Sequence, residues 1–122
     1  MTDIQQRFTA GLFQALAHVT RVAMVELLRH GEMSVGQLCQ RLEVRQANAS
    51  QHLAVLRNKN IVHARKAGNQ TFYGLRDPAF AKVLDLLGEY VLAQLTGTLE
   101  VLQREQAKDS WSAERPARKP KQ

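Results

Sequence analysis

The chain has 122 residues, a length that suits one domain and a tail, and its 44% hydrophobic content is ordinary for a folded protein. No apolar run approaches the roughly 20 residues that span a bilayer, and the N-terminus lacks the basic and then apolar pattern of a secretion signal. Because a single cysteine, Cys39, cannot form an intrachain disulfide, the composition fits a reducing compartment, and we expect a cytoplasmic protein without a membrane partner.

Two amphipathic helices are predicted at the N-terminus. Segment 3–17 places Ile4, Phe8, Leu12 and Leu16 at steps of four residues, which defines one apolar helical face. After a break at 17–20, a second helix carries apolar residues between 22 and 28. Gly31 lies just beyond it, where a helix C-terminus favours glycine.

The next two segments predict short helices joined by a tight connection. Ser34 suits the N-cap of a third helix, and a link at 43–44 leads to a fourth. The apolar face of the third helix comprises Val35, Leu38, Cys39 and Leu42, and that of the fourth comprises Ala49, Leu53 and Leu56. Two short helices joined in this way predict a helix-turn-helix.

Beyond residue 60 the pattern predicts a β-hairpin and then a long helix. Segments 61–66 and 70–75 are predicted strands around Gly68 and Asn69, two residues that tolerate positive φ. Asp77 is the expected N-cap, and Pro78 the first residue, of a helix that ends near 107. Its apolar stripe comprises Phe80, Leu84, Leu87, Val91, Leu95, Leu99 and Leu102. Residues 109–122 predict a basic disordered tail.

Positive charge is concentrated in one part of the chain. The net charge is +6, and residues 44–76 carry six Lys and Arg and no Asp or Glu, so the rest of the chain is balanced. A compact basic region indicates a polyanionic partner, with nucleic acid as the first candidate, while a solvated basic face is the alternative.

The order of elements predicts a mainly α (α+β) winged helix-turn-helix over residues 1–108: four helices, a β-hairpin and a fifth helix. The first and fifth helices carry apolar stripes beyond the needs of one small domain, and exposing them to water costs about 25 cal/mol per Å². We therefore expect a two-fold dimer formed through these two helices. Its expected interface residues are Phe8, Leu12, Leu84, Leu87, Val91 and Leu95.

Three runs of residues resemble the ArsR/SmtB family of bacterial transcriptional repressors. They are residues 15–21 (ALAHVTR), 50–57 (SQHLAVLR) and 68–73 (GNQTFY), and the likeness covers about residues 10–95. The resemblance implies a dimer whose fourth helices enter the major groove of double-stranded DNA, with the wings on the flanking DNA.

The residue types of this region support DNA binding. Glutamine and asparagine bind adenine edges, serine binds several base edges or phosphates, and Arg and Lys suit phosphates. Arg45 stands where the family often has a capping Ser or Thr, so the uncapped N–H groups are expected to meet a phosphate. For His52, packing and DNA contact stay equally open. The candidate DNA-binding residues are Arg45, Gln46, Asn48, Ser50, Gln51, His52, Arg57, Lys59, Arg65, Lys66, Asn69 and Gln70.

The resemblance implies two possible metal sites, and this sequence lacks the ligands of both. The start of the third helix, residues 32–36 (EMSVG), has no cysteine pair, and the last helix has no histidine. Zinc generally requires four N, S or O donors, so we expect no metal and no cofactor. Cys39 is a candidate sensing thiol, although its apolar face favours a buried packing residue.

These observations predict a homodimeric, sequence-specific repressor whose operator is partly palindromic and whose effector, a small molecule or redox signal, is unknown. The alternative is a winged-helix protein-interaction module without specific DNA binding. An enzyme is not expected, because the chain has no Gly-rich phosphate loop and no nucleophile–base arrangement.

Overall fold

The computed structural model describes the backbone of residues 1–114 and the side chains of residues 1–108. The helices are α1 (Asp3–Leu16), α2 (Val19–Leu28), α3 (Val35–Leu42), α4 (Gln46–Asn58) and α5 (Phe80–Glu114). The strands are β1 (Met33–Ser34), β2 (Val62–Ala67) and β3 (Gln70–Leu75). The chain divides into two compact units, residues 1–84 and the part that starts at residue 85. The first unit has the predicted winged helix-turn-helix architecture, mainly α with a small sheet.

The core of the first unit forms where α2, α3 and α4 pack against one another and against the sheet. The predicted stripe of α4 is confirmed, because Ala49, Leu53 and Leu56 are all 0% exposed. Burying each leucine contributes about 1.5–3 kcal/mol, so this stripe fixes which side of α4 faces outward. The largest fully buried side chains of the unit are Met24, Val25, Leu28, Leu38, Leu53, Leu56 and Val62.

The sheet has three strands rather than the two of the predicted hairpin. Its order is β1-β3-β2, and both pairings are antiparallel. The additional strand β1 pairs Met33 with Tyr73 and Ser34 with Phe72. A two-residue strand is too short to show an alternating pattern, which is why the sequence did not indicate it. β1 ties the start of α3 directly to the wing.

The hairpin turn lies at the two predicted turn residues, and one of them has positive φ. Ala67 pairs with Gln70, so Gly68 and Asn69 form a two-residue loop. Gly68 has φ 62°, whereas among the described residues other than glycine only Glu43 and Asn60 have positive φ. Glycine at the first loop position is the arrangement of a type II′ turn, which requires positive φ there alone.

The long helix differs from the prediction at both ends. Regular α-helix starts at Phe80 and not at the predicted Pro78. In the turn that precedes it, the Asp77 carboxylate accepts a hydrogen bond from the Ala79 N–H at 2.9 Å. The helix continues to residue 114 instead of ending near 107, so residues 109–114 of the expected tail are helical. Residues 115–122, the remainder of the predicted basic disordered tail, lie outside the described residues.

Leu84, which was expected in a dimer interface, has a different location. It is 6% exposed and belongs to the hydrophobic core of the first unit, together with the partly buried Phe80. The first turn of α5 therefore completes the core of the first unit. Leu84 is removed from the expected dimer surface.

Among residues 1–114, no single helix is long and apolar enough to cross a membrane. The consecutive helices α1 and α2 pass that test only as a pair, and they are bent by 99° at their junction.

The N-termini of the first four helices are capped unequally. Thr2 with Gln5 and Ser34 with Gln37 form reciprocal capping boxes on α1 and α3. On α2, the ring Nδ1 of His18 accepts a hydrogen bond from the Thr20 N–H at 3.1 Å. On α4, Arg45 occupies the N-cap position in an extended conformation and forms no side-chain cap.

Replacing Arg45 by Ser should increase the free energy of unfolding by about 0.5–1 kcal/mol relative to Arg45→Ala, because only serine accepts a bond from the free amides. Urea unfolding of the two variants measures the difference. The alanine variant is the matched control, since it removes the same guanidinium without adding an acceptor. Equal midpoints for Ser and Ala would contradict the open-cap interpretation.

Candidate nucleic-acid interface

One side of α4 is polar and exposed because its opposite side is held in the core. With Leu53 and Leu56 buried, the exposed positions of α4 include Gln46 in its first turn and, further round the helix, Asn48, Ser50, Gln51 and the small Ala54. No acidic residue occurs on α4. This surface presents hydrogen-bond donors and acceptors without negative charge, which suits the edges of bases in a major groove.

The N-terminus of α4 adds positive electrostatic potential to this surface. Arg45 is exposed, and its backbone (φ −71°, ψ 148°) places it outside the helix, where it leaves the first-turn amides uncapped by any side chain. Free N–H groups and the helix dipole together favour an anion at this end.

The wing tip carries three further exposed candidates. Lys66, Asn69 and Gln70 surround the turn and are all exposed. The register pairs Lys66 with Thr71 across the two long strands. Their donors lie on a two-stranded ribbon that ends in a tight turn.

Arg65, one residue further from the tip, is bound by an acid that the sequence did not indicate. Its Nη2 and Nε donate to Oε2 of Glu32 at 2.7 and 3.1 Å, and its guanidinium lies 5.2 Å above the ring centre of Phe72. Hydrogen bonding to Arg65 lowers the pKa of Glu32, and the charges of Arg65 and His63 act in the same direction. Because the two partners are 33 residues apart in the chain, no local motif announces this ion pair.

Other predicted phosphate ligands lie away from the N-terminus of α4. Arg57 is exposed near the helix C-terminus, about 18 Å along the axis from Arg45 at 1.5 Å per residue. Lys59 lies beside α1, where its side chain approaches Gly11. It also lines an open cavity of about 460 Å³ with residues that include Phe8 and Leu12. The structure therefore divides the twelve candidates between the two ends of α4 and the wing.

His52 packs against another helix instead of pointing fully outward. Its ring centre lies 4.3 Å from that of His18, and the two planes are tilted by 43°. Burial lowers the pKa of His52 below its usual 6.5, and the nearby charges of His18 and Arg21 lower it further. The Nε of Arg21 is buried without a hydrogen-bond partner in the described part of the chain. His52 thus links α4 to the start of α2.

Cys39, the candidate sensing thiol, is partly buried and packs against the hydrophobic core. In the region that the structure describes, no three His, Cys, Asp or Glu side chains come together in a group that could hold a metal ion.

Comparisons with known proteins agree with this geometry. The family model for "Bacterial regulatory protein, arsR family" matches residues 18–64. The Biofilm growth-associated repressor of Agrobacterium fabrum is 40% identical over 76 residues, which are 62% of this chain and 65% of that protein. The HTH-type transcriptional regulator Rv2034 of Mycobacterium tuberculosis is 38% identical over 93 residues, 76% of this chain and 87% of that protein. The crystal structure of M. tuberculosis Rv0081 superposes with a TM-score of 0.73 at 30% identity, over 80% of this chain and 99% of that one.

The fold and the exposed polar helix define a winged helix-turn-helix regulator of the DNA-binding class. The chain belongs to the arsR family of bacterial regulatory proteins, since it shares 38% of its aligned residues with a regulator of which it covers 87%. The resemblance stated from residues 15–21, 50–57 and 68–73 is thereby confirmed.

Replacing His18 by Asn should raise the pKa of His52 only part of the way toward 6.5, because burial is the larger cause of its depression. Asparagine retains an N-cap acceptor for Thr20, so α2 is preserved. NMR titration of the His52 ring protons measures the midpoint. A pKa that stays unchanged would show that the imidazole contact has no electrostatic effect.

The lowered pKa of His52 also makes the free energy of unfolding depend on pH. With a lowered pKa, folded His52 binds fewer protons than unfolded His52, so its contribution to stability is present above about 6.5 and is lost as the pH falls through the lowered pKa. The His18→Asn variant should show a weaker loss of stability over the same pH range.

Proposed function

We propose that the protein is a homodimeric, sequence-specific DNA-binding repressor that occludes a promoter and releases it when an effector alters the dimer. The observation that carries this proposal is the exposed, acid-free side of α4, which is directed outward by its buried stripe and accompanied by a basic wing. The name of the Agrobacterium relative, a repressor, supports the same direction of regulation.

Base recognition is assigned to three exposed residues of α4. Gln46 and Gln51 offer amides that bind adenine bidentately, and the hydroxyl of Ser50 binds a base edge or a phosphate. Each good bidentate pair contributes about 1–3 kcal/mol of discrimination. These side chains lie in the first two turns of α4, the part of a recognition helix that enters the groove.

Phosphate binding is assigned to the basic residues and to the open N-terminus of α4. Arg45 and its neighbouring amides are suited to one phosphate, and Lys66 at the wing to another. Arg57, Lys59, Asn69 and Gln70 remain candidates for further contacts. Neutralising several phosphates makes affinity fall steeply with salt.

A dimer accounts for the exposed apolar surfaces of both units. Phe8 is 74% exposed on α1, and Val91 and Leu95 are 49% and 54% exposed on α5. Exposed apolar patches of this kind mark interaction sites, and a two-fold arrangement covers the same patch on both copies. Two recognition helices about 34 Å apart would then bind a partly palindromic operator. Leu12 and Leu87, both half-buried, border these patches.

The effector is proposed to act elsewhere than at the family's two familiar metal sites, because their cysteine and histidine ligands are missing from this sequence. Cys39 is a weak candidate for thiol sensing, since it packs against the core. A zinc chelator should accordingly leave operator affinity unchanged.

Replacing Ser50 and Gln51 together by Ala should weaken operator binding by about 10–100-fold, which corresponds to the loss of one or two base contacts. Fluorescence anisotropy with the chain's own promoter region and with random duplex measures affinity and specificity. Replacing Gln103 and Gln106 of α5 by Ala is the matched control and should change neither. Equal affinity of the wild type for both duplexes would refute a specific repressor, and a stable monomer that ignores DNA would favour a protein-interaction module.

Replacing Leu95 by Glu should halve the solution mass, because it places a charge in the proposed apolar interface. Light scattering after size exclusion measures the mass. Gln94→Glu adds the same charge at the adjacent, already polar position and should leave the dimer intact. If Leu95→Glu keeps the wild-type mass, the interface lies elsewhere.

A further inference from the structure

The outer face of the sheet carries a polar network that holds Arg65, one of the candidate DNA-binding residues. The register places Arg65 opposite Phe72 and His63 opposite Gly74, while Tyr73 and Leu75 alternate to the side that packs against the core. Glu32, just before β1, reaches this outer face and binds Arg65 there. The network therefore joins β2 and β3 to the residue that precedes β1.

The geometry holds one edge of the Arg65 guanidinium. Nε and Nη2 both donate to Oε2 of Glu32, at 3.1 and 2.7 Å, and the side chain crosses above the Phe72 ring to reach it. A two-donor contact to a carboxylate fixes orientation as well as position. Stacking on an aromatic ring further restricts the guanidinium plane.

The other edge of the same guanidinium stays available. A guanidinium has five N–H donors, and Glu32 accepts only from Nε and Nη2. Within the described residues Nη1 donates to no other group, and the Arg65 side chain is 53% exposed. The free donors belong to the terminal edge, which is suited to a phosphate oxygen.

We propose that Glu32 is a positioning residue that holds Arg65 against Phe72, so that its free guanidinium edge is presented to a backbone phosphate of DNA. This inference rests on the proposed DNA-binding function and adds to it a residue from outside the basic region. An arginine whose rotamer is already fixed loses less conformational entropy when it binds. Glu32 also cancels one positive charge, and the fixed orientation of Arg65 outweighs this loss.

Gly74 leaves the space that the network needs. A Cβ at residue 74 would lie 2.8 Å from Nε2 of His63 and 3.1 Å from Cγ of Glu32, both closer than ordinary contacts. His63 Nε2 is 3.7 Å from Oε1 of Glu32, so a protonated imidazole adds a second positive charge beside the carboxylate.

A double-mutant cycle on DNA affinity tests the proposal, with Glu32→Gln, Arg65→Gln and the double variant. Arg65→Gln should weaken binding about 5–10-fold and reduce the salt slope by about one, as expected for one lost phosphate contact. Glu32→Gln should weaken binding about threefold when Arg65 is present and have no effect when it is absent. Glu26→Gln, which removes an exposed acid of α2, measures the general effect of lost negative charge.

Other outcomes of the cycle would contradict the positioning role of Glu32. Tighter DNA binding by Glu32→Gln than by Glu26→Gln would show that Glu32 competes with DNA for Arg65. If Glu32→Gln lowers DNA affinity equally with Arg65 present and with Arg65→Gln, the role of Glu32 is merely structural. Either result overturns the inference. If the wild type binds no DNA, the proposed function fails and the inference with it. In the free protein, the NMR signal of the Arg65 Nε–H should be sharp in the wild type and broadened in Glu32→Gln. An unchanged signal would overturn the positioning role. This measurement does not depend on DNA binding, so it also decides the case in which a variant binds poorly because it is unstable.

Discussion

The burial of three residues on one side of α4 is the constraint on which the rest of the structure depends. Ala49, Leu53 and Leu56 are fully enclosed by the core, so rotating α4 about its axis would expose apolar surface and bury amides without partners. Both penalties act in the same direction. The orientation of Ser50 and Gln51 is consequently set by side chains on the core side of the helix.

The sequence predicted the elements that have a strong period or a clear cap. The five helices, the hairpin and the stripe of α4 follow from spacings within single segments, and the lack of a cap at Arg45 was visible from the residue type alone. The exposed candidates on α4 were predicted for the same reason, since a buried stripe determines its opposite face. These features are local, and local patterns are what a single sequence displays.

The features that the sequence did not reveal depend on contacts between distant segments. β1 exists only because β3 lies beside it. Leu84 has the same helical spacing as the exposed apolar residues that follow it on α5, yet it belongs to the core. His18 and His52 are 34 positions apart in the chain, and their contact joins α2 to α4. The ion pair of Glu32 with Arg65 joins a loop to a strand. Composition indicated a uniformly basic region, but it did not indicate that an acid from outside the region binds one of its arginines.

The distribution of caps and ion pairs suggests how stability and binding are divided over the surface. Reciprocal capping boxes satisfy the N-termini of α1 and α3, whereas Arg45 leaves the N-terminus of α4 without a side-chain cap. An unsatisfied helix end reduces stability by about 1 kcal/mol, and a phosphate placed there would restore that energy only in the complex. The same reasoning applies to Arg65, where a carboxylate takes one edge of the guanidinium and leaves the other for a ligand. On this surface, the groups left without a protein partner are the ones that DNA would complete.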